Sequence, residues 1–195
     1  MKYSRFLYTA VLIAALLPGA GCLRKRKLYF VPLGDFSTAM VDDLASYYRN
    51  KYGLLVETLP SVPLIAKAIN PERQQLIAEA AVEIMREANP QLRNDPQAIL
   101  IGLTTHDMYI AKYDWRFSFS WREQGKYAVV SSGRMNLPIG GRSVSADEIR
   151  TRLRKMVTKN IGVLYYHLAQ SDNPRSVLYR NVGGIQELDY MGEEF

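Results

Sequence analysis

The chain has 195 residues, with 25 Lys and Arg against 19 Asp and Glu, a formal charge of +6 and one cysteine. Lys2 and Arg5 carry two of those charges, and Arg24 to Lys27 carry the other four, so everything beyond them is close to neutral. No basic stripe remains for nucleic acid, and a single cysteine excludes an intramolecular disulfide.

Residues 1–21 read as an export signal. Lys2 and Arg5 form a positive n-region, Phe6 to Leu17 an apolar run of 12 residues, and small residues Gly19 to Gly21 precede Cys22. The pattern is that of a secretory signal, and the apolar run falls short of the ~20 residues of a membrane span. Cysteine directly after small residues resembles a bacterial lipobox, in which the thiol is acylated and becomes the mature N-terminus. The expected lipidation site is therefore Cys22, and the expected location is the bacterial cell envelope, on the outer membrane or its periplasmic face. A soluble secretory signal and an uncleaved anchor are the alternatives. Residues 22–27 then form a basic tether, whose charges either hold anionic headgroups or stay solvated. Residues 28–195 are expected to be one domain, long enough to bury a core.

Leu28 to Leu33 is a short apolar run closed by Gly34 and Asp35, and reads as a buried first strand. Met40, Val41, Leu44, Tyr47 and Tyr48 follow a helical spacing over Ser37 to Tyr52, and Gly53 stops it. Leu54 to Thr58 reads as a second strand. Asn70, Pro71 and Glu72 combine a cap residue, a first-turn proline and an acid at the positive end of the dipole. They predict a helix from there to about Ala88.

Ala98 to Leu103 is a continuous apolar strand of the kind buried in a parallel sheet. Trp115 to Arg122 alternates, with Trp115, Phe117, Phe119 and Trp121 on one face and Arg or Ser on the other, which predicts a sheet-edge strand. Tyr127 to Ser131 makes the last strand. After a loop over Pro138 to Ser143, Ser145 and Glu148 form a capping box that opens a long helix. The expected class is α/β (α+β): a twisted mixed sheet with packed helices.

This series resembles the archaemetzincin-type zinc peptidases over residues 28 to 191. Pro32 to Gly34 match the family's opening strand and turn, and Asn70 to Gln75 its R-x-Q region. Ile101 to Tyr109 match its central strand, and Val129 to Met135 the strand before its active helix. The resemblance implies a metzincin-like (zincin-like) fold with the long C-terminal helix as the family's active-site helix.

There the family writes H-E-x-x-H-x-x-G-x-x-H. Placing Gly162 on the glycine inside HExGH puts Lys159 and Val163 where two histidines should stand, Asn160 on the glutamate and Ala169 on the third histidine. A catalytic zinc needs about three protein ligands and a general base. Lysine adds positive charge there, and asparagine cannot take a proton from water. The chain has two histidines, His106 and His167, so no shift of register restores the motif. Ile149, Leu153, Met156, Val157, Ile161 and Leu164 mark the segment as a core-packing helix, with Val163 extending its apolar face.

The reading that follows is a membrane-anchored, catalytically inactive peptidase-like domain without a cofactor, whose partners are the membrane and a peptide or protein, not nucleic acid. Peptide would add along the Trp115 to Trp121 edge. The alternative is an active zinc-dependent metallopeptidase with atypical ligands, for which His106, His167 and Asp107 are the candidates. Glu187, Asp189, Glu193 and Glu194 read as a solvated tail.

Overall fold

The computed structural model describes residues 26–138 and 140–195. The signal, Cys22 and the start of the basic run lie outside the described residues. The main sheet has the strand order β2-β1-β5-β8-β7, with β1 (Lys27–Leu33), β2 (Val56–Thr58), β5 (Ala98–Thr104) and β8 (Tyr127–Ser131) parallel. β7 (Ser120–Glu123) runs antiparallel to β8 and forms one edge. A smaller sheet orders β3 (Ile69–Asn70), β4 (Gln75–Ile77) and β6 (Met108–Tyr109). The expected mixed α/β architecture holds.

Central strands are apolar throughout because both faces are covered. Leu28, Phe30, Ile99, Ile101, Ala128 and Val130 pack toward α1 (Thr38–Tyr52) and α3 (Ala146–Leu164). Their neighbours Tyr29, Val31, Leu100 and Val129 pack toward α2 (Ala78–Ala88). With side chains alternating by two, a strand inside two apolar layers cannot show a polar face.

Local signals fix most helix ends. Ser37 accepts from Met40 N, and Gly53, at φ 61°, closes α1 in the left-handed region where a side chain would be strained. Ser145 and Glu148 form the expected reciprocal cap of α3. The long helix is not the last, since α4 (Ile185–Tyr190) follows and packs on α3. No described helix is long and apolar enough to cross a membrane.

Three expectations need correction. Asn70 caps a turn rather than a helix: its Oδ1 accepts from Glu72 N and Arg73 N at 3.0 Å, but Gln74 at φ 53° ends the turn. The chain enters β4, antiparallel to β3, and the helix starts at Ala78. Arg26 and Lys27, expected in a tether over 22–27, belong to the fold: β1 begins at Lys27 and Arg26 Nη1 donates to Leu164 O at 2.7 Å. The acidic end is not a solvated tail: Asp189 pairs with Arg152, Glu193 with Arg154 and Glu194 with Lys51.

Candidate functional site: a cationic cleft beside the edge strand

The strand expected over Trp115 to Trp121 is regular only from Ser120. Ahead of it the chain bends, so the four aromatics do not share a face. Trp115 is 55% exposed and stacks on Tyr113 with ring centroids 4.7 Å apart. Phe117 packs edge-on against Phe119 and beneath the Arg134 guanidinium. Phe119 is buried on the α3 side, whereas Trp121 packs on the α2 side. What survives is the edge itself. Ser131 N donates to Phe119 O at 2.9 Å, and antiparallel alternation then turns the backbone groups of Ser120 and Arg122 outward, away from β8.

The same alternation aims Arg122 at α3. Its Nη1 donates to Asn160 Oδ1 at 3.0 Å, and Asn160 Nδ2 donates to Met156 O at 2.7 Å, back along the helix. Lys159 is only 4% exposed and its ammonium donates to Tyr179 O. Burial, and then the neighbouring Arg122 charge, push the Lys159 pKa down to about 8. Burial also lowers that of Arg122. Val163 is half-buried, so it extends the apolar face only in part, and Ala169 is exposed beyond the helix end at Leu164.

Ser118 to Arg122, Met156, Lys159, Arg180 and Val182 line a cleft of about 280 Å³. A second cleft of about 490 Å³, bounded by Asp114 to Ser118 and Arg180 to Gly183, shares Trp115, Ser118, Arg180 and Val182 with it. Together they run along the edge strand. Sequence reading found the edge but not its charge: Arg122 looked like a solvent-facing residue, and Lys159 a substituted ligand rather than a buried cation. The alternation that placed Arg122 opposite Trp121 was the available signal.

His106, His167 and Asp107 form no group that could hold a metal ion. His106 follows β5, partly buried, with Nδ1 buried and unpartnered, while His167 is exposed past α3 at φ 55°. Asp107 is committed elsewhere: Arg134 forks it at 2.8 and 2.7 Å, and Gln75 Nε2 donates at 2.8 Å. Burial opposes its charge, but the Arg134 and Gln75 bonds outweigh it and hold the carboxyl below its ordinary range. Gly133 permits this packing, since a Cβ there would lie 2.4 Å from Asp107 N. Among the described residues no group of three or more His, Cys, Asp or Glu could hold a metal ion.

No family model matches the chain. It is similar to the archaemetzincin of Natronomonas pharaonis, 26% identical over 151 residues, covering 76% of this chain and 83% of that protein. The fold is similar to the crystal structure of an archaemetzincin from Archaeoglobus fulgidus complexed with malonate (TM-score 0.68, 24% identity, 87% of this chain and 94% of that one). It is also similar to a zinc-dependent peptidase from Methanocorpusculum labreanum (TM-score 0.67, 18% identity, 86% and 95%). The fold is archaemetzincin-like.

These comparisons correct the expectation of a domain without a cofactor, because a protein of this fold is zinc-dependent. The residues at the expected position on α3 do not fit zinc, however. Lys159 and Arg122 bring positive charge, Asn160 spends both its polar atoms on Arg122 and Met156, and Val163 offers no donor atom.

Proposed function

We propose that this protein is a membrane-anchored, non-catalytic relative of the archaemetzincin-type peptidases that binds an extended peptide or protein segment. One observation carries the reading: the α3 positions that would supply ligands and general base hold Lys159 and Asn160, both bonded inside the fold. The Asn160 amide cannot take a proton from water, and the Lys159 ammonium is held on the Tyr179 carbonyl. A binding function needs less. The outward backbone of β7 supplies hydrogen bonds for an added strand, and the adjoining clefts supply pockets for its side chains.

Membrane attachment rests on Lys2, Arg5, the apolar run to Leu17 and Cys22 after Gly21. Lipoprotein acylation adds two or three chains, and that suffices for stable anchoring where one does not. The location that follows is the bacterial cell envelope.

A second reading, an active zinc-dependent peptidase, is favoured by the likeness to a zinc-dependent peptidase. One experiment separates the two. The purified full-length protein is mixed with an internally quenched peptide library, with and without equimolar zinc, and binding is followed by anisotropy of labelled peptides. Binding without cleavage supports the first reading. Zinc-dependent cleavage that a chelator abolishes establishes the second.

A further inference from the structure

Arg122 and Lys159 enter one cleft from different elements, and neither has a carboxylate within ion-pair distance among the described residues. Burying one charge without a counter-ion is costly, and burying two of the same sign side by side adds their repulsion. Two other guanidinium groups do have a carboxylate, although the buried Lys155 ammonium also meets only carbonyls. The buried guanidinium of Arg152 is forked by Asp189, and the half-buried one of Arg134 by Asp107. At Arg122 and Lys159 the partners are neutral: the Asn160 amide and the Tyr179 carbonyl.

The other charged groups at this cleft do not supply the missing anion. Arg180 lines the same space and is itself cationic, paired at 2.7 Å with the exposed Asp172. Lys155, one turn back on α3, donates to the Leu188 and Asp189 carbonyls. Glu123, next along β7, pairs with Arg86 on the α2 side. The cleft also offers the Trp121 indole, whose Nε1 is buried without an acceptor.

We infer that the cleft between β7 and α3 is a carboxylate-binding site, in which Arg122 and Lys159 together seat the anionic group of a bound peptide. This deepens the peptide-binding reading and rests on it. A guanidinium and an ammonium converging from two elements match the two oxygens of a carboxylate by charge-assisted hydrogen bonds. The lining by Phe119, Met156 and Val182 suits an organic acid better than inorganic phosphate, which carries no apolar part to bury. The group is the C-terminal carboxylate of a peptide, an acidic side chain within one, or a small free acid, and the assay separates these sources.

The two tryptophans of the chain, Trp115 and Trp121, both line this cleft, so intrinsic emission reports its occupancy directly. The full-length protein is titrated with an N-acetylated alanine pentapeptide, its C-terminal amide, the amidated pentapeptide with a central aspartate, succinate, and inorganic phosphate. The expected result is that at least one carboxylate-bearing peptide binds ten-fold or more tightly than the amidated alanine peptide. The free-acid form identifies a C-terminal carboxylate, and the aspartate form an acidic side chain. Lys159→Met and Arg122→Gln are each expected to lose at least ten-fold of that preference, while still binding the amide.

Equal affinity for acid and amide would overturn the carboxylate site and leave the peptide-binding reading standing. Binding of succinate with no peptide binding would do the reverse, keeping the site and removing the peptide. Phosphate binding more tightly than every carboxylate would overturn the assignment of ligand class. Should either variant fail to fold, the comparison of acid with amide on the unmodified protein still decides the matter.

Discussion

The guanidinium of Arg152 and the carboxylate of Asp189 meet face to face, with Nε to Oδ1 and Nη2 to Oδ2 both at 2.7 Å, across 37 positions of sequence. Arg152 is 1% exposed, and its Nη1 also donates to Met135 O at 2.6 Å and Leu137 O at 3.1 Å. This fork ties α4 to α3 and so fixes the segment that carries Tyr179 and Arg180 over the helix.

Removing one partner of such a pair strands a buried charge. Asp189→Ala is expected to cost about 3 kcal/mol, the lower end for a broken buried pair, because Asp189 itself is about a third exposed. Urea unfolding of the two proteins measures it. A difference below about 1 kcal/mol would show that the fork does not hold α4 in place.

Lys159 gives the opposite sign. Its folded-state pKa of about 8 lies below the ordinary 10.5, so the folded chain holds this proton less tightly than the unfolded one. The penalty is complete below about pH 8 and is relieved as pH rises toward 10.5. Lys159→Met therefore gains up to about 3 kcal/mol at pH 7, offset by about 1 kcal/mol for the Tyr179 carbonyl it leaves unpaired. The variant is expected to be at least as stable as the parent at pH 7, with its advantage shrinking by pH 10. Urea midpoints at both pH values check this; a variant clearly less stable at pH 7 refutes it.

Asp107 behaves as a depressed carboxylate. Its contribution is complete above its ordinary value near 3.8 and disappears as pH falls through the lower folded value. Asp107→Asn is expected to lose about 1–3 kcal/mol at pH 7 by weakening the Arg134 and Gln75 bonds. That deficit should narrow when the midpoints are measured below pH 3.8. A deficit independent of pH would assign the loss to shape rather than charge.

Gly133→Ala tests the packing behind the same fork. The added methyl would stand 2.4 Å from Asp107 N, a backbone atom that cannot swing aside. A loss of about 1–3 kcal/mol is expected, whereas Gly125→Ala, with open space at its Cβ position, pays only for its positive φ. A Gly133 variant no worse than that control would mean the β5–β6 turn moves freely.

Cys22→Ala is expected to abolish metabolic acyl labelling and to release the protein from membranes or leave its precursor uncleaved. A variant processed and retained like the parent would remove the lipobox reading. Residues 24–27 would then flank an uncleaved anchor.

Periodicity and local capping determined much of this protein. The buried strands β1, β5 and β8, the stop at Gly53 and the reciprocal cap of Ser145 and Glu148 were legible because each depends on residues within a few positions of one another. That Lys159, Asn160 and Val163 are poor zinc ligands is also legible, since it depends on residue type alone. Where local and distant pairing competed, sequence misled: Asn70 offers a good helix cap, but the pairing of Ile69 and Asn70 with Leu76 and Gln75 won the segment for a hairpin. The alternation over Trp115 to Trp121 predicted one strand, but the chain is irregular up to a bend at Phe119 and forms β7 only from Ser120. The charge of the cleft was legible only in the alternation that set Arg122 opposite Trp121, and not in its pairing. Whether a lysine or arginine is solvated, forked by an acid or buried against neutral groups depends on which elements the fold brings within a few ångströms. Only the tertiary structure brought Asp189 to Arg152 and left Arg122 facing Lys159.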